Sequence, residues 1–160
     1  LLIGKALRVL SAKAGIHGMI GGQVVDVKET GHAVSREVLD FIYELKTGAL
    51  IESSMMIGAI LAGASDGDVK KVEKIASNVG FAFQVQDDIL DVTSTSEVLG
   101  KPVHSDEKNE KSTYVTLVGL KEAGRLVETA SMEAVRLLGE LPGENGYLAW
   151  LIEKLIHREK

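Results

Sequence analysis

Apolar residues recur at intervals of three and four along most of this chain, which is the spacing of one face of an α-helix. Nowhere do apolar and polar residues alternate at period two over a stretch long enough to propose a strand. Glycines, Pro142 and helix-capping hydroxyl residues separate the periodic stretches. The pattern predicts an all-α fold, with helices at residues 1–14, 16–28, from 36 onward, 50–62, 68–91, 114–119, 121–141 and 147–157.

Two of the predicted helices have an unusual composition. The helix at 16–28 contains Gly18, Gly21 and Gly22, each of which should weaken it by about 1 kcal/mol relative to alanine. We interpret these glycines as a close crossing with another helix rather than as direct contacts with a ligand. The helix at 50–62 is so apolar that we expect it to be central and buried, with Gly48 bending or thinning it locally.

Composition limits the class of protein. A chain of 160 residues with 45% hydrophobic and 26% charged residues is expected to fold as one globular domain. Its formal net charge of −5 argues against nucleic acid or an anionic membrane as a partner. The longest uncharged run, residues 53–65, is too short to span a bilayer. The lack of cysteine excludes disulfides and thiolate metal sites, and it is compatible with the reducing cytoplasm in which we expect the protein.

The candidate chemistry lies at the end of the predicted helix at 68–91. Asp87 and Asp91 are four residues apart and share a helix face, with Asp88 beside them and Gln84 one turn earlier. Like charges at this spacing destabilise a helix, and the apolar stretch 80–85 offers no basic partner. Oxygen ligands favour a hard cation such as Mg²⁺, so the cluster is a candidate metal site. On this motif alone, the alternative of a solvated acidic face stays open.

Lys46 is a second candidate, because it lies between two apolar helical stretches, an unusual place for an unpaired cation. Its side chain either reaches the surface along its aliphatic stem or pairs with an anion such as a phosphate. The four histidines have no spacing typical of a metal site. Likewise, no serine or lysine has the signature of a nucleophile.

Three blocks and two later lysines, in this order, resemble the carboxyl-terminal half of trans-isoprenyl diphosphate synthases. The blocks are residues 18–26 (GMIGGQVVD), 46–51 (KTGALI) and 81–91 (FAFQVQDDILD), and the lysines are Lys101 and Lys111. The nearest likeness is to bacterial farnesyl or geranylgeranyl diphosphate synthases. The resemblance implies an all-α, isoprenoid synthase-type helical bundle around a central cavity, with residues 1–160 as the C-terminal part of a single polyprenyl synthetase domain.

The same resemblance implies roles for individual side chains. Those that would hold the Mg²⁺ cofactor on an allylic diphosphate are Asp87, Asp88 and Asp91. Those that would bind the diphosphate itself are Lys46, Lys101 and Lys111. The residues that would act in catalysis are Lys46, Thr47 and Gln84. Of these, Thr47 and Gln84 would offer oxygens near the allylic carbon as it becomes cationic.

The activity implied by the resemblance is Mg²⁺-dependent, head-to-tail condensation of an allylic diphosphate with isopentenyl diphosphate by a homodimer, giving farnesyl or geranylgeranyl diphosphate. A first aspartate-rich motif belongs upstream of Leu1 in that family, and the chain does not begin with Met. We therefore expect a piece of a longer protein that is inactive alone. The alternatives are a non-catalytic subunit of a heteromeric synthase and a class I terpene cyclase, whose second metal motif usually contains Asn, Ser and Glu.

Overall fold

The computed structural model describes residues 1–94, 112–156 and 158. In those ranges the regular structure is helical and contains no strand, which confirms the predicted all-α class. The helices are α1 (Leu2–Ala14), α2 (Met19–Lys28), α3 (Arg36–Ile42), a π-helical segment (Tyr43–Gly48), α4 (Ala49–Leu61), α5 (Asp66–Thr93), α6 (Tyr114–Val118), α7 (Leu120–Leu138) and α8 (Gly146–Ile156). None of these helices has the length and apolarity that crossing a bilayer requires.

The central element is α5, which packs against α4, the π segment, α6, α7 and α8. Its side chains Ile75, Val79, Ala82 and Val85 are buried in the main apolar cluster, together with residues of α3, α7 and α8. The helix begins at Asp66, two residues before the predicted start, because the Ser65 hydroxyl accepts the backbone N–H of Asp68 as an N-cap. This helix carries the aspartates to the edge of the core.

The prediction that 50–62 forms a central buried helix is wrong for one side of α4. That helix packs against α1 and α5, while Leu50 and Leu61 on its other side are exposed. It also buries Glu52, whose carboxylate pairs with the Lys13 ammonium. Average apolarity identified a helix that contributes to the core, but it gave no information about which side the neighbouring helices cover.

Two glycines allow backbones to approach closely at the π segment. A Cβ atom on Gly22 of α2 would lie 2.4 Å from the backbone nitrogen of Lys46, so the predicted helix crossing is present here. A Cβ on Gly80 of α5 would lie 2.9 Å from the Cα of Gly48. Gly48, which has no side chain, therefore makes this part of its helix thin, as expected. The π segment is therefore held between α2 and α5.

Candidate active site

A cleft of about 180 Å³ opens where α2, the π segment, α5 and the start of α6 meet. The side chains that carry its chemistry come from separate elements and are mostly polar. Those used below are Asp26, Tyr43, Lys46, Gln84, Asp87 and Asp88. Four of the residues predicted from the sequence, Lys46, Gln84, Asp87 and Asp88, thus line one cavity.

Lys46 is directed into the cleft and is not an unpaired cation. Its Nζ lies 2.7 Å from the Oδ2 of Asp26 on α2, and the two side chains are 35% and 15% exposed. The sequence block 18–26 contained Asp26, but sequence reasoning assigned it no role. Its position in the apolar second half of α2 was the signal that could have marked it. The ion pair holds the Lys46 ammonium in a fixed position at the cleft wall.

Thr47 and Gln84 are joined to each other. The Thr47 hydroxyl donates a hydrogen bond of 2.8 Å to the amide oxygen Oε1 of Gln84, which links the π segment to α5. A π-helical turn forms i→i+5 hydrogen bonds and contains one more residue than an α-helical turn. Such turns are frequent at functional sites, and this one carries both Lys46 and Thr47.

Asp87 lines the cleft and is about one-third exposed. Arg158, beyond α8, donates from Nη2 to its Oδ1 over 3.0 Å, and the guanidinium lies 3.7 Å from the centre of the Phe83 ring. The Nη1 atom of Arg158 is buried without a hydrogen-bond partner among the described residues. Sequence reasoning missed Arg158, because its partner lies 71 positions earlier in the chain.

The other two aspartates of the motif are buried, and of these two only Asp88 lines the cleft. Asp88 is 3% exposed, and its Oδ2 accepts bonds from the Tyr43 hydroxyl at 2.6 Å and from the Tyr114 backbone N–H at 2.8 Å. Asp91 is 2% exposed and does not line the cleft. Across the described ranges, no three carboxylate or histidine side chains come close enough together to hold a metal ion. The metal-binding roles of Asp87, Asp88 and Asp91 stay predictions.

This donor set fits Mg²⁺ in one particular way. Mg²⁺ usually keeps several waters and is held by one or two carboxylates together with substrate phosphates, not by an all-protein cage. Asp87 supplies one carboxylate that faces the cleft, and Lys46 supplies a positive charge for the phosphates. The arrangement therefore suits a Mg²⁺–diphosphate pair. Lys101 and Lys111, predicted to bind the same diphosphate, lie outside the described residues.

Tyr114, at the start of α6, is buried next to the cleft, where its backbone N–H donates to Asp88. Its hydroxyl donates to Asp40, and the Arg36 guanidinium lies 5.6 Å from its ring centre. Burial, followed by the hydrogen bond to Asp40, raises the pKa of Tyr114 to about 12. The phenol therefore stays protonated at physiological pH and remains a hydrogen-bond donor.

The comparisons with known proteins agree with this geometry. Residues 5–136 match the family model described as polyprenyl synthetase. The chain belongs to the polyprenyl synthetase family. The recognition made from the three sequence blocks is thereby confirmed.

Relatives within the polyprenyl synthetase family are similar over most of this chain. A chloroplastic geranylgeranyl pyrophosphate synthase of Capsicum annuum is 45% identical over 134 residues, 83% of this chain and 36% of the relative. The farnesyl diphosphate synthase of Bacillus subtilis is 37% identical over 158 residues, 97% of this chain and 53% of the relative. The chain thus spans about half, or less, of the length of these curated relatives.

A solved structure supports the same fold. The geranyltransferase of Helicobacter pylori, in a crystal structure with magnesium and isoprenyl diphosphate, matches with a TM-score of 0.80 and 33% identity. The match covers 97% of this chain and 51% of that one. The isoprenoid synthase-type helical fold expected from the sequence is therefore the fold of this chain.

Proposed function

We propose that the complete protein is a Mg²⁺-dependent trans-prenyltransferase, with residues 1–160 as the C-terminal part of a single polyprenyl synthetase domain. It would condense an allylic diphosphate with isopentenyl diphosphate to give farnesyl or geranylgeranyl diphosphate. The observation that carries the proposal is the convergence of Lys46, Gln84 and Asp87 on one cleft. Membership of the family and the names of the relatives support the same reaction class.

The proposed chemistry begins with loss of the diphosphate from the allylic carbon. Asp87, with Asp88 and Asp91 as further predicted ligands, would hold Mg²⁺, which when bound supplies a Lewis acid that neutralises charge on phosphate oxygens. The Lys46 ammonium, aimed by Asp26, would pair with the same oxygens as negative charge develops there. Lys101 and Lys111 are proposed to contribute two more positive charges to the diphosphate.

The remaining proposed roles concern the carbon that becomes cationic. The oxygens of Thr47 and Gln84, fixed by their mutual hydrogen bond, would face the positive charge as it develops on the allylic carbon. Apolar side chains of α4 and α5 would exclude water, which would otherwise capture that carbon. The double bond of isopentenyl diphosphate then attacks, and loss of a proton completes a product five carbons longer.

The rival interpretations receive less support. The relatives reported above are named as synthases, which does not favour a non-catalytic subunit. A terpene cyclase is disfavoured by the match to the polyprenyl synthetase family and by the aspartate-rich motif at 87–91.

We also propose that the protein is a cytoplasmic homodimer. Large apolar side chains on α1 and α2 are exposed in this chain, and such surfaces commonly mark contacts with another chain. They are Leu2, Ile3, Leu7, Leu10, Ile20, Val24 and Val27. Light scattering on the complete protein should give twice the mass of one chain, and cell fractionation should recover it with the cytoplasmic proteins.

The reaction can be tested directly on the complete protein. Incubation with geranyl diphosphate, labelled isopentenyl diphosphate and MgCl₂ should yield labelled farnesyl or geranylgeranyl diphosphate, and EDTA should abolish the product. The 160-residue chain alone should give none. Absence of product from the complete protein, or a cyclic hydrocarbon made without isopentenyl diphosphate, would contradict the proposal.

Variants of the complete protein connect the activity to the cleft. Asp87→Asn should lower kcat by about 10²–10³-fold, the typical loss when one transition-state stabilising group is removed. Asp66→Asn is the matched control, because Asp66 is an exposed aspartate in the first turn of the same helix. Near-normal turnover of Asp87→Asn would remove Asp87 from the proposed site.

A further inference from the structure

Tyr43 and Asp88 form a buried hydrogen bond that none of the roles above uses. The Tyr43 hydroxyl donates over 2.6 Å to the Oδ2 of Asp88, and both residues are at most 7% exposed. Tyr43 is the first residue of the π segment, and Asp88 lies beside Asp87 near the end of α5. The bond therefore joins the two elements that carry the proposed catalytic side chains.

The same oxygen of Asp88 also holds a third element. It accepts the backbone N–H of Tyr114, the first residue of α6, over 2.8 Å. The N–H groups of a first helical turn have no acceptor within their own helix, so a carboxylate from a neighbouring helix is a strong partner. The ring of Tyr114 also packs 5.6 Å from the ring of Tyr43 and 5.1 Å, edge-on, from that of Phe81. Asp88 thus fastens α5, the π segment and α6 at one point.

Three contacts join the π segment to α5 in antiparallel order. Tyr43 bonds to Asp88, Thr47 bonds to Gln84, and Gly48 lies against Gly80, so each step forward along the π segment meets a step backward along α5. A single contact would leave the two elements able to rotate about it. Bonds at both ends of the π segment fix its rotation and its register, and with them the positions of Lys46 and Thr47.

The chemistry of Asp88 makes this anchor sensitive to loss of the Tyr43 hydroxyl. A buried carboxylate is tolerated only when donors replace the water it has lost. Asp88 also lies next to Asp87, so a like charge adds to the need for donors. Without the hydroxyl, we expect the carboxylate to turn away from its present position and to loosen the π segment.

We propose that Tyr43 and Asp88 are a positioning pair, which holds the π segment carrying Lys46 and Thr47 in register with the turn of α5 carrying Gln84 and Asp87. The inference rests on the proposed prenyltransferase function for its effect on turnover, but the structural effect is independent of it. Tyr43 touches no substrate in this role. It acts through Asp88, whose Oδ2 accepts the bonds that hold these elements together.

The kinetic test uses Tyr43→Phe, Asp88→Asn and the double variant of the complete protein. Tyr43→Phe should lower kcat by roughly tenfold or more, since misplacement of reacting groups by about 1 Å can cost about 10²-fold. The KM for the allylic diphosphate should change by less than about threefold, because the diphosphate-binding charges remain. The double variant should be no slower than Asp88→Asn alone, because the two groups act through one bond. Effects that multiply would overturn the pairing.

A binding test separates this role from metal ligation. Titration calorimetry with Mg²⁺ and inorganic pyrophosphate should give nearly unchanged affinity for Tyr43→Phe, which removes no proposed ligand, and strongly reduced affinity for Asp87→Asn. A Tyr43→Phe variant that loses affinity as Asp87→Asn does would place Tyr43 among the binding groups themselves and overturn the proposal. Tyr147→Phe, which deletes the hydroxyl of an exposed tyrosine on α8, is the matched control.

Hydrogen exchange tests the anchor without any turnover. In Tyr43→Phe, amide exchange measured by mass spectrometry should accelerate at residues 43–48 and at the start of α6, and it should not change there in Tyr147→Phe. Unchanged protection at 43–48 would overturn the proposal even in an active enzyme. Failure of the proposed function would give a different result. The wild-type protein would then show no turnover, while Tyr43→Phe would still accelerate amide exchange at residues 43–48.

Discussion

Two charged side chains at the cleft, Lys46 and Asp87, each pair with an opposite charge from another part of the chain. Lys46 pairs with Asp26 at 2.7 Å, and Asp87 pairs with Arg158 at 3.0 Å. Both pairs are only partly exposed, so water screens them less than it would a surface pair. The partners fix the direction of the charges before any ligand arrives, which reduces the entropy lost on positioning them around a diphosphate.

The first prediction concerns the residue that directs Lys46. Asp26→Asn keeps the shape of the side chain but removes its charge, so Lys46 should become mobile. We expect kcat/KM for the allylic diphosphate to fall by about tenfold, equivalent to about 1.4 kcal/mol. Steady-state kinetics of the complete protein would measure the change.

Repeating the Asp26→Asn substitution in a Lys46→Gln protein shows whether Asp26 acts through Lys46. In a Lys46→Gln protein the side chain to be directed has lost its charge, so adding Asp26→Asn should have little further effect. The same loss in both backgrounds would mean that Asp26 acts independently of Lys46. An increase in kcat/KM would mean that the pair restrains Lys46 instead of aiming it.

The sequence identified four side chains that line the cleft, but it missed Asp26 and Arg158, which pair with two of them. Lys46, Gln84 and Asp87 could be found because helical spacing and the family blocks both mark them. Their partners lie 20 to 71 positions away along the chain, and spacing within one helix carries no information about which helices become neighbours. The same limit hid Tyr43, to which the sequence assigned no role and which is 45 residues from Asp88.

At the scale of elements, periodicity located helices well and their ends less well. Helix α7 ends at Leu138, before the predicted residue 141, where the Asn145 amide donates to the backbone oxygens of Leu138 and Leu141. The apolar pattern did not reveal the π segment. The one extra residue in a π-helical turn shifts the apolar residues that follow by less than a full helical turn, so the stretch still resembles an ordinary α-helix. Only the structure shows the π segment, which packs between α2 and α5.

The close crossing of α2 and the π segment gives the second prediction. In Gly22→Ala the new methyl carbon would lie 2.4 Å from the Lys46 nitrogen and 2.8 Å from the Leu45 Cβ, so the two elements must separate. We expect a loss of about 1–3 kcal/mol in the free energy of unfolding, as for other overpacked sites, and a lower kcat as Lys46 moves. Denaturant unfolding and steady-state kinetics of the complete protein would measure the two effects.

Gly124 provides a matched control within α7. A Cβ at this position would have no atom within 4 Å. Gly124→Ala should therefore stabilise the protein by about 0.4–1 kcal/mol, because alanine loses less backbone entropy on folding. If both substitutions were equally harmful, the cost would come from helical glycines in general and not from the crossing.

At the scale of the whole molecule, one ion cluster ties the outer helix α1 to the helices beneath it. The Lys13 ammonium pairs with the buried Glu52 carboxylate of α4 and, at 2.7 Å, with Glu73 of α5. A smaller apolar cluster of Ala6, Met56, Ile60 and Val69 joins the same three helices. The attachment of α1 thus combines apolar packing with charges that are partly shielded from water.

The third prediction removes that cation. Lys13→Met preserves most of the aliphatic volume but leaves Glu52 buried without a counter-charge. We expect a loss of about 2–3 kcal/mol in the free energy of unfolding, less than the ~3–5 kcal/mol of a fully buried pair because Lys13 is 26% exposed. Lys5→Met is the control on the same helix, since its pair with Asp66 is exposed and should be worth less than about 1 kcal/mol.

The pH dependence of this difference identifies its cause. Burial alone would lower the pKa of Lys13, but the hydrogen bonds and charges of Glu52 and Glu73 outweigh it and raise that pKa above its ordinary value of 10.5. A cation whose pKa is raised by folding stabilises the folded state fully below the unfolded pKa, and this stabilisation is lost as pH rises through the folded pKa. The stability gap between wild type and Lys13→Met should therefore be constant near neutral pH and should narrow above about pH 10. Denaturant unfolding at a series of pH values would measure the gap, and a gap that persisted unchanged into strong alkali would attribute the loss to packing of the lysine stem instead of to its charge.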